Sequence, residues 1–416
     1  MKDLLDNTLF KWLAWFCNHR HNLLMIYCVV FLFLIFGVIN DSGIQYLSLL
    51  LLYLTVFLLT YFFADKFIRR SSAIRKIISI ATSKIELGKL DLVSIVLLVV
   101  TILFMLVHFF YLGGVPTVQA WQSHNSFDIY IIRKIATTQS PSFINYPHSF
   151  ILKAIIPFLL LFFYQKEYNK IFIVLFFISF FYCTAFIAKS YLVTALIPLL
   201  LFVFFKKKYF QFICISLLIF CGLNFLVFVS NPALRGGDSN QLPIIEIPSQ
   251  SGDELTSSLN GLTTRTFLVP GAIVSKWFRF IPDSKPFLNG KGYHFISIIL
   301  RTEFKNYTSE LYPLIYPGYA KRGYAGTVNT ASFMYDYSNF GWIGIIYSAI
   351  ILAIVFVFVN LIFEDNNFIK ICVNLYYVLA LSSSSLLTLA FSGGWGLMIL
   401  LFLIFRKDFT SNKNTL

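Results

Sequence analysis

Between Val229 and Phe340, ten cations (Arg235, Arg265, Lys276, Arg279, Lys285, Lys291, Arg301, Lys305, Lys321 and Arg322) are interleaved with tyrosine, tryptophan, phenylalanine, glycine and proline. Guanidinium and ammonium groups hold phosphate oxygens, and flanking rings stack on sugars, so this mixture beside a membrane suits an anionic, sugar-bearing lipid. Asp238, Glu246, Asp253, Glu254, Asp283, Glu303, Glu310 and Asp336 nearly balance the cations. The basic groups therefore act locally and do not form a broad positive field.

The elements around this stretch follow from composition. With 58% hydrophobic and 12% charged residues and a mean hydropathy of +0.75, the chain is no soluble globule. Apolar runs of roughly 17 to 23 residues recur, each long enough for a helix to cross a hydrocarbon core of about 30 Å. They are apolar on every face, which excludes the alternating pattern of a lipid-spanning barrel. The expected fold is an all-α polytopic membrane protein with about ten spans. These lie near Leu23–Ile39, Ile44–Ala64, Leu92–Leu112, Phe150–Tyr164, Ile171–Ile187, Tyr191–Phe205, Phe212–Val229, Phe340–Phe363, Ile371–Ala390 and Trp395–Phe405.

Lysine and arginine crowd alternate joints (Lys66 to Lys89, Lys166 and Lys170, Lys206 to Lys208, Lys370, Arg406 and Lys407), while the opposite joints are nearly bare. The positive-inside rule then puts both termini in the cytoplasm and the long loop outside. This gives an interfacial amphipathic segment 1–22, seven spans over 23–229 with a basic cytoplasmic loop 65–90 and an outer loop 113–149, the large outer loop 230–339, three spans over 340–405 and a cytoplasmic tail 406–416. Most of the formal net charge of +14 belongs to the cytoplasmic joints, so it implies no nucleic acid. All six cysteines lie in or beside apolar segments, which excludes a disulfide framework in the large loop.

Lys189 occupies the tight corner Ala188–Ser190, where it either snorkels or grips a diphosphate as a point charge. No Gly-rich phosphate loop and no zinc-type spacing occurs, so neither cofactor nor metal is expected. In the large loop, Thr264 to Phe280 reads as a short amphipathic or re-entrant helix. Ten residues separate Arg279 from Gly290, which is followed by Gly292, Tyr293 and His294, and Tyr312, Pro313, Tyr316, Pro317, Gly318 and Tyr319 supply rigid turns. Asn329, Thr330, Phe333, Asp336, Asn339, Phe340, Gly341 and Gly344 close the loop.

Four of these pieces, in this order, resemble the bacterial O-antigen polymerases of the Wzy-dependent pathway: the Ala188–Ser190 corner, Arg265 to Gly271, the Arg279 to Gly290 spacing, and Asp336, Asn339, Phe340, Gly341, Gly344. One departure is that Ile144, not glycine, stands after Arg133 where the family carries a related arginine and glycine motif. The resemblance implies a GT-C type glycosyltransferase of the bacterial inner membrane whose large loop is periplasmic and carries the active site. It would join oligosaccharide repeat units on undecaprenyl diphosphate, with membrane lipid and a chain-length regulator protein as partners. The related O-antigen ligase and a lipid-linked oligosaccharide flippase are the alternatives.

That chemistry needs stabilisation of a departing diphosphate, a base for the acceptor hydroxyl, and a groove admitting two polyprenyl tails. Arg279 and Arg265 are expected to meet the leaving group bidentately, with Lys189 and Arg322 in support. His294 or Asp336 is the expected base, with Glu303 and Glu310 behind them. Tyr293, Tyr316, Tyr319 and Trp277, together with Tyr312, are expected to stack on sugars.

Overall fold

A computed structural model describes residues 15–16, 19–72, 90–235, 264 and 268–410. Most of the expected interfacial segment 1–22, most of the basic loop 65–90, residues 236–263 of the large loop, Arg265 and the end of the tail lie outside the described residues.

The described residues contain helices and no strand. In chain order the helices are α1 (Asn22–Ser42), α2 (Leu47–Arg70), α3 (Leu90–Tyr111), α4 (Pro116–Gln122), α5 (Ser126–Lys134), α6 (Ser142–Phe150), α7 (Ile156–Gln165), α8 (Asn169–Thr184), α9 (Lys189–Phe205) and α10 (Tyr209–Ser230). They continue with α11 (Val269–Phe280), α12 (His294–Ile299), α13 (Tyr307–Glu310), α14 (Tyr312–Ile315), α15 (Pro317–Lys321), α16 (Ser332–Phe340), α17 (Trp342–Ile362), α18 (Asn367–Ala380), α19 (Leu386–Ala390), α20 (Trp395–Ile404) and α21 (Arg406–Thr410).

Seven helical runs among the described residues are long and apolar enough to cross a membrane: Asn22–Ser42, Leu47–Arg70, Asp91–Gln122, Ser142–Gln165, Tyr209–Ser230, Trp342–Ile362 and Leu386–Ile404. The chain is an all-α, multi-pass membrane protein. Three further apolar helices, α8, α9 and α18, are shorter, at 10–17 residues. The expected span Ile371–Ala390 needs correction, because helix α18 stops at Ala380 and α19 begins only at Leu386. A run of serines explains the break. The hydroxyls of Ser382 and Ser383 turn back onto the carbonyls of Leu379 and Ala380, and that of Ser385 caps Thr388 N–H at 3.1 Å.

Two compact units divide the chain. The first comprises Met1–Ile80, Ile247–Glu364 and Tyr377–Leu389. Within it α17 packs along α2, and α11 crosses α1. Tyr27, Phe31, Tyr53, Phe57 and Phe333 fill the core at 1% exposure or less, with Phe31 stacked on Tyr53 at 5.1 Å and Tyr53 against Phe333 at 4.7 Å. At one end Asp65 pairs with Arg20 and Arg69, and Arg69 reaches on to Glu364. The crossing of α11 over α1 depends on two glycines. A Cβ on Gly271 would lie 2.4 Å from the Leu34 carbonyl oxygen, and one on Gly37 would lie 2.4 Å from that of Leu268. Backbone meets backbone there, the close approach that small residues permit in membranes.

The second unit comprises Ala81–Glu246, Asp365–Tyr376 and Ala390–Leu416. Helix α9 is its centre, packed on α7, α8 and α10 through buried Leu159, Phe163, Leu196, Leu199 and Phe202. The ion pairs Lys166–Asp408 and Arg406–Asp365 tie its ends, and the Trp395 indole donates to Asn374 Oδ1 at 2.7 Å. Helix α6 carries Pro147 inside and runs into a wide π turn at Ile151–Ile155. A proline without an N–H and an underwound turn both displace side chains from regular helical positions.

Replacing Gly271 by alanine is expected to lower stability by about 1–3 kcal/mol, because a backbone atom stands where the methyl must go. The matching change at Gly318, which faces open space, is expected to stay within about 0.5 kcal/mol of wild type. Chemical denaturation in detergent micelles reads both; equal midpoints would mean that α1 and α11 do not touch at this crossing.

Candidate functional site

In the first unit the segment after α11 folds back onto the C-terminal end of α16. Leu288 N–H donates to the Ser338 carbonyl at 2.9 Å and Asn289 N–H to that of Asn339 at 3.0 Å. The chain then reverses through Asn289 (φ 50°) and Gly290 (φ 89°), the left-handed pair that glycine and asparagine tolerate best. Asn339 secures the turn. Its Oδ1 accepts from Gly292 N–H at 3.0 Å, and its Nδ2 donates to the Tyr335 carbonyl at 2.8 Å. A Cβ on Gly292 would lie 2.6 Å from the Asn339 amide nitrogen.

This turn delivers Tyr293, whose hydroxyl donates to Asp336 Oδ1. The Tyr293 ring lies nearly parallel to that of Phe340, 6.1 Å away. Asp336 is held from the other side by helix α17, because Gly341 (φ 61°) turns the chain and Gly344 lets α17 approach. A Cβ on Gly344 would fall 2.0 Å from the Asp336 carbonyl oxygen. The Asp336 carboxyl also receives a hydrogen bond from Ser348. Burial pushes this carboxyl up to about 6, against the opposing pull of the Ser348 and Tyr293 hydrogen bonds. The residue as a whole keeps partial exposure; packing around the carboxyl oxygens is what raises the value. Burial, and then the Asp336 charge, raise the Tyr293 phenol, which stays protonated as the donor. A carboxylate titrating near 6 is a competent proton acceptor at neutral pH.

Helix α11 supplies a second cluster. Ser275 Oγ donates to Asp41 Oδ2 at 2.7 Å, and Arg279 Nη2 approaches the same oxygen at 3.4 Å. The Arg279 side chain is 55% exposed, so most of its N–H fork is open to solvent. Tyr46 stacks on Phe278 at 4.9 Å beside it. One turn earlier, Lys276 Nζ lies 5.9 Å from the centroid of the Tyr316 ring. Tyr316 belongs to a row of rings, 5.5 Å from Tyr312 and 6.5 Å from Tyr319.

The other expected site residues are placed as follows. Trp277 is a correction: its ring is 1% exposed and packs against Tyr335 at 5.6 Å, leaving no open face for a sugar. It shares a buried stripe with Gly271, Val274, Ser275 and Phe278, a helical spacing that makes it core. His294 is exposed, its ring 5.5 Å from Phe304. Glu310 pairs with Lys285 at 2.7 Å, Glu303 is exposed, and Arg322 is exposed just past α15. Lys189 starts α9 in the second unit and is exposed. Arg235, also in the second unit, is a clamp: its guanidinium donates to the carbonyls of Ala120 and Ser123 at 3.2 and 2.9 Å and to that of Trp121. A cavity of about 640 Å³ in that unit is lined by Gln119, Gln122, His124, Asn125 and Asp128 among others. Among the described residues no group of three or more His, Cys, Asp or Glu side chains comes together.

Sequence reasoning missed Asp41 and Ser275. The only signal was an acid in an otherwise bare joint. Comparison with protein-family models, curated proteins and solved structures finds no match to this chain.

The raised Asp336 value sets a sign. The folded state holds the proton more tightly than the unfolded chain, whose carboxyl titrates near 3.8, so the stability this group contributes at low pH is lost as pH climbs from about 4 to about 6. The difference in unfolding midpoint between wild type and Asp336→Asn is expected to change across that window and to be flat above it. A pH-independent difference would show that the carboxyl titrates normally.

Proposed function

We propose that this chain is an O-antigen polymerase, a glycosyltransferase at the periplasmic face of the bacterial inner membrane. It polymerises oligosaccharide repeat units carried on undecaprenyl diphosphate. The observation that carries this reading is the Tyr293–Asp336 clasp. Two separate pieces of the sequence resemblance, the Arg279 to Gly290 segment with its following turn and the Asp336 to Gly344 pattern, meet there around one carboxyl of raised affinity for protons.

In this reading Asp336 takes the proton from the acceptor sugar hydroxyl. The freed oxygen bonds to the anomeric carbon of the growing chain, and the bond from that carbon to the diphosphate oxygen breaks, the electron pair leaving with the diphosphate. The Tyr293 phenol holds the carboxylate in place by hydrogen bonding. Arg279, its fork largely open, meets the charge that develops on the leaving diphosphate. Tyr312, Tyr316 and Tyr319 offer faces to sugar rings. No redox or nucleotide cofactor enters. A chain-length regulator is a partner proposed from the family resemblance alone.

Glycan electrophoresis of a deletion strain complemented with variants tests the reading. Arg279→Ala and Asp336→Asn are each expected to cut chain elongation by about 10²- to 10³-fold, leaving single repeat units on the lipid A core at normal protein level. Arg279→Lys is expected to recover only part, because a point charge does not reproduce the fork. Long ladders from both Arg279→Ala and Asp336→Asn would overturn the assignment. Loss of even the single-unit product would favour the ligase.

A further inference from the structure

Three side chains in the second unit form a closed polar group that the proposed glycosyl transfer does not use. His108 near the end of α3, His148 on α6 and Tyr182 near the end of α8 are 1%, 3% and 1% exposed. The Tyr182 hydroxyl lies 2.9 Å from His108 Nδ1 and 2.8 Å from His148 Nδ1. The two imidazoles stand edge to face with centroids 4.7 Å apart, and Phe186 packs on both, at 5.0 and 4.4 Å. His148 follows Pro147 directly and precedes the π turn.

The hydrogen count decides the chemistry. One phenol carries one hydrogen and cannot donate to both Nδ1 atoms, so one imidazole must carry its hydrogen on Nδ1 and donate to the Tyr182 oxygen. That ring then has a bare lone pair on Nε2. The other ring, which accepts the phenol hydrogen at Nδ1, carries its hydrogen on Nε2. Both Nε2 atoms are buried and have no hydrogen-bond partner. The group thus ends in a lone pair on one side and an N–H on the other. Burying such unpartnered atoms is costly, and groups of this kind inside membrane helices mark function more often than packing.

We propose that His108, Tyr182 and His148 form a proton relay. A proton arriving at the bare Nε2 makes that ring an imidazolium. Its Nδ1 hydrogen passes to the Tyr182 oxygen as the phenol hydrogen passes to the facing Nδ1, and the second ring releases its Nε2 hydrogen. One proton enters, one leaves, and nothing is oxidised or reduced. The row that results is the mirror image of the first, so the return passage needs no ring rotation. Donor and acceptor at the two ends are water or an amine. Lys153, in the π turn, acts electrostatically on His148, and Tyr191 and Cys183 act electrostatically on Tyr182. Arg133 acts on Tyr191.

The test uses the full chain with ¹⁵N-labelled histidine in lipid nanodiscs, the two rings assigned through His108→Gln and His148→Gln. A working relay visits both mirror states, so each ring nitrogen of His108 and His148 is expected to resonate between the N–H and lone-pair positions. In Tyr182→Phe, which keeps the ring and removes the bridge, the interchange is expected to slow by about two orders of magnitude and separate signals to emerge. Fixed tautomers in the wild type at every pH would reduce the group to a structural hydrogen bond and overturn the proposal. Averaging that survives in Tyr182→Phe would also overturn it. Neither result depends on glycan transfer, so this inference and the proposed function fail separately.

Discussion

The Tyr293 hydroxyl reaches the Asp336 carboxyl only because the backbone comes closer on both sides of the pair than a side chain would allow. Gly290 and Gly292 bring the incoming turn onto α16, and Gly344 lets α17 press against it from behind. The carboxyl is thereby taken out of water while two hydroxyls still satisfy it. Desolvation outweighs those hydrogen bonds, and the carboxyl is pushed up to about 6. Remove the close approach and Asp336 becomes an ordinary surface acid.

The arginine cluster obeys a different constraint. Arg279 stands on a short helix whose placement depends on the Gly37–Gly271 crossing, so its position is tied to a membrane span although the residue itself is solvated. Asp41 contacts one end of the guanidinium at 3.4 Å. A long, half-exposed pair of this kind contributes little stability, which fits a cation that is oriented without being consumed by its partner.

Much of this was legible in the chain. Apolar runs located the helices because lipid leaves the backbone no alternative to internal hydrogen bonding. The stop of α1 is visible in Gly43, and the short helix α11 in its periodic apolar residues. Asp336, Tyr293 and the glycines around them stood out by type and spacing. Other features were not legible. Trp277 looked like a ligand platform because composition cannot say which face of a helix is covered. The serine run after Leu381 broke an apolar stretch that hydropathy alone reads as continuous. Asp41 gained meaning only when α11 arrived beside it, and His108 and His148 only when a hydroxyl from a third helix came between them. Contacts distant in sequence leave no local trace.

The central claim is an energetic link between Tyr293 and Asp336, and a double-mutant cycle reads it directly. Unfolding free energies in detergent would be compared for wild type, Tyr293→Phe, Asp336→Asn and the double variant at a pH above the Asp336 titration. A coupling of about 1 kcal/mol or more between the two changes is the expected result, as for other hydrogen bonds to a charged group. Strict additivity would mean that the two side chains do not meet, and the account built on their contact would be wrong.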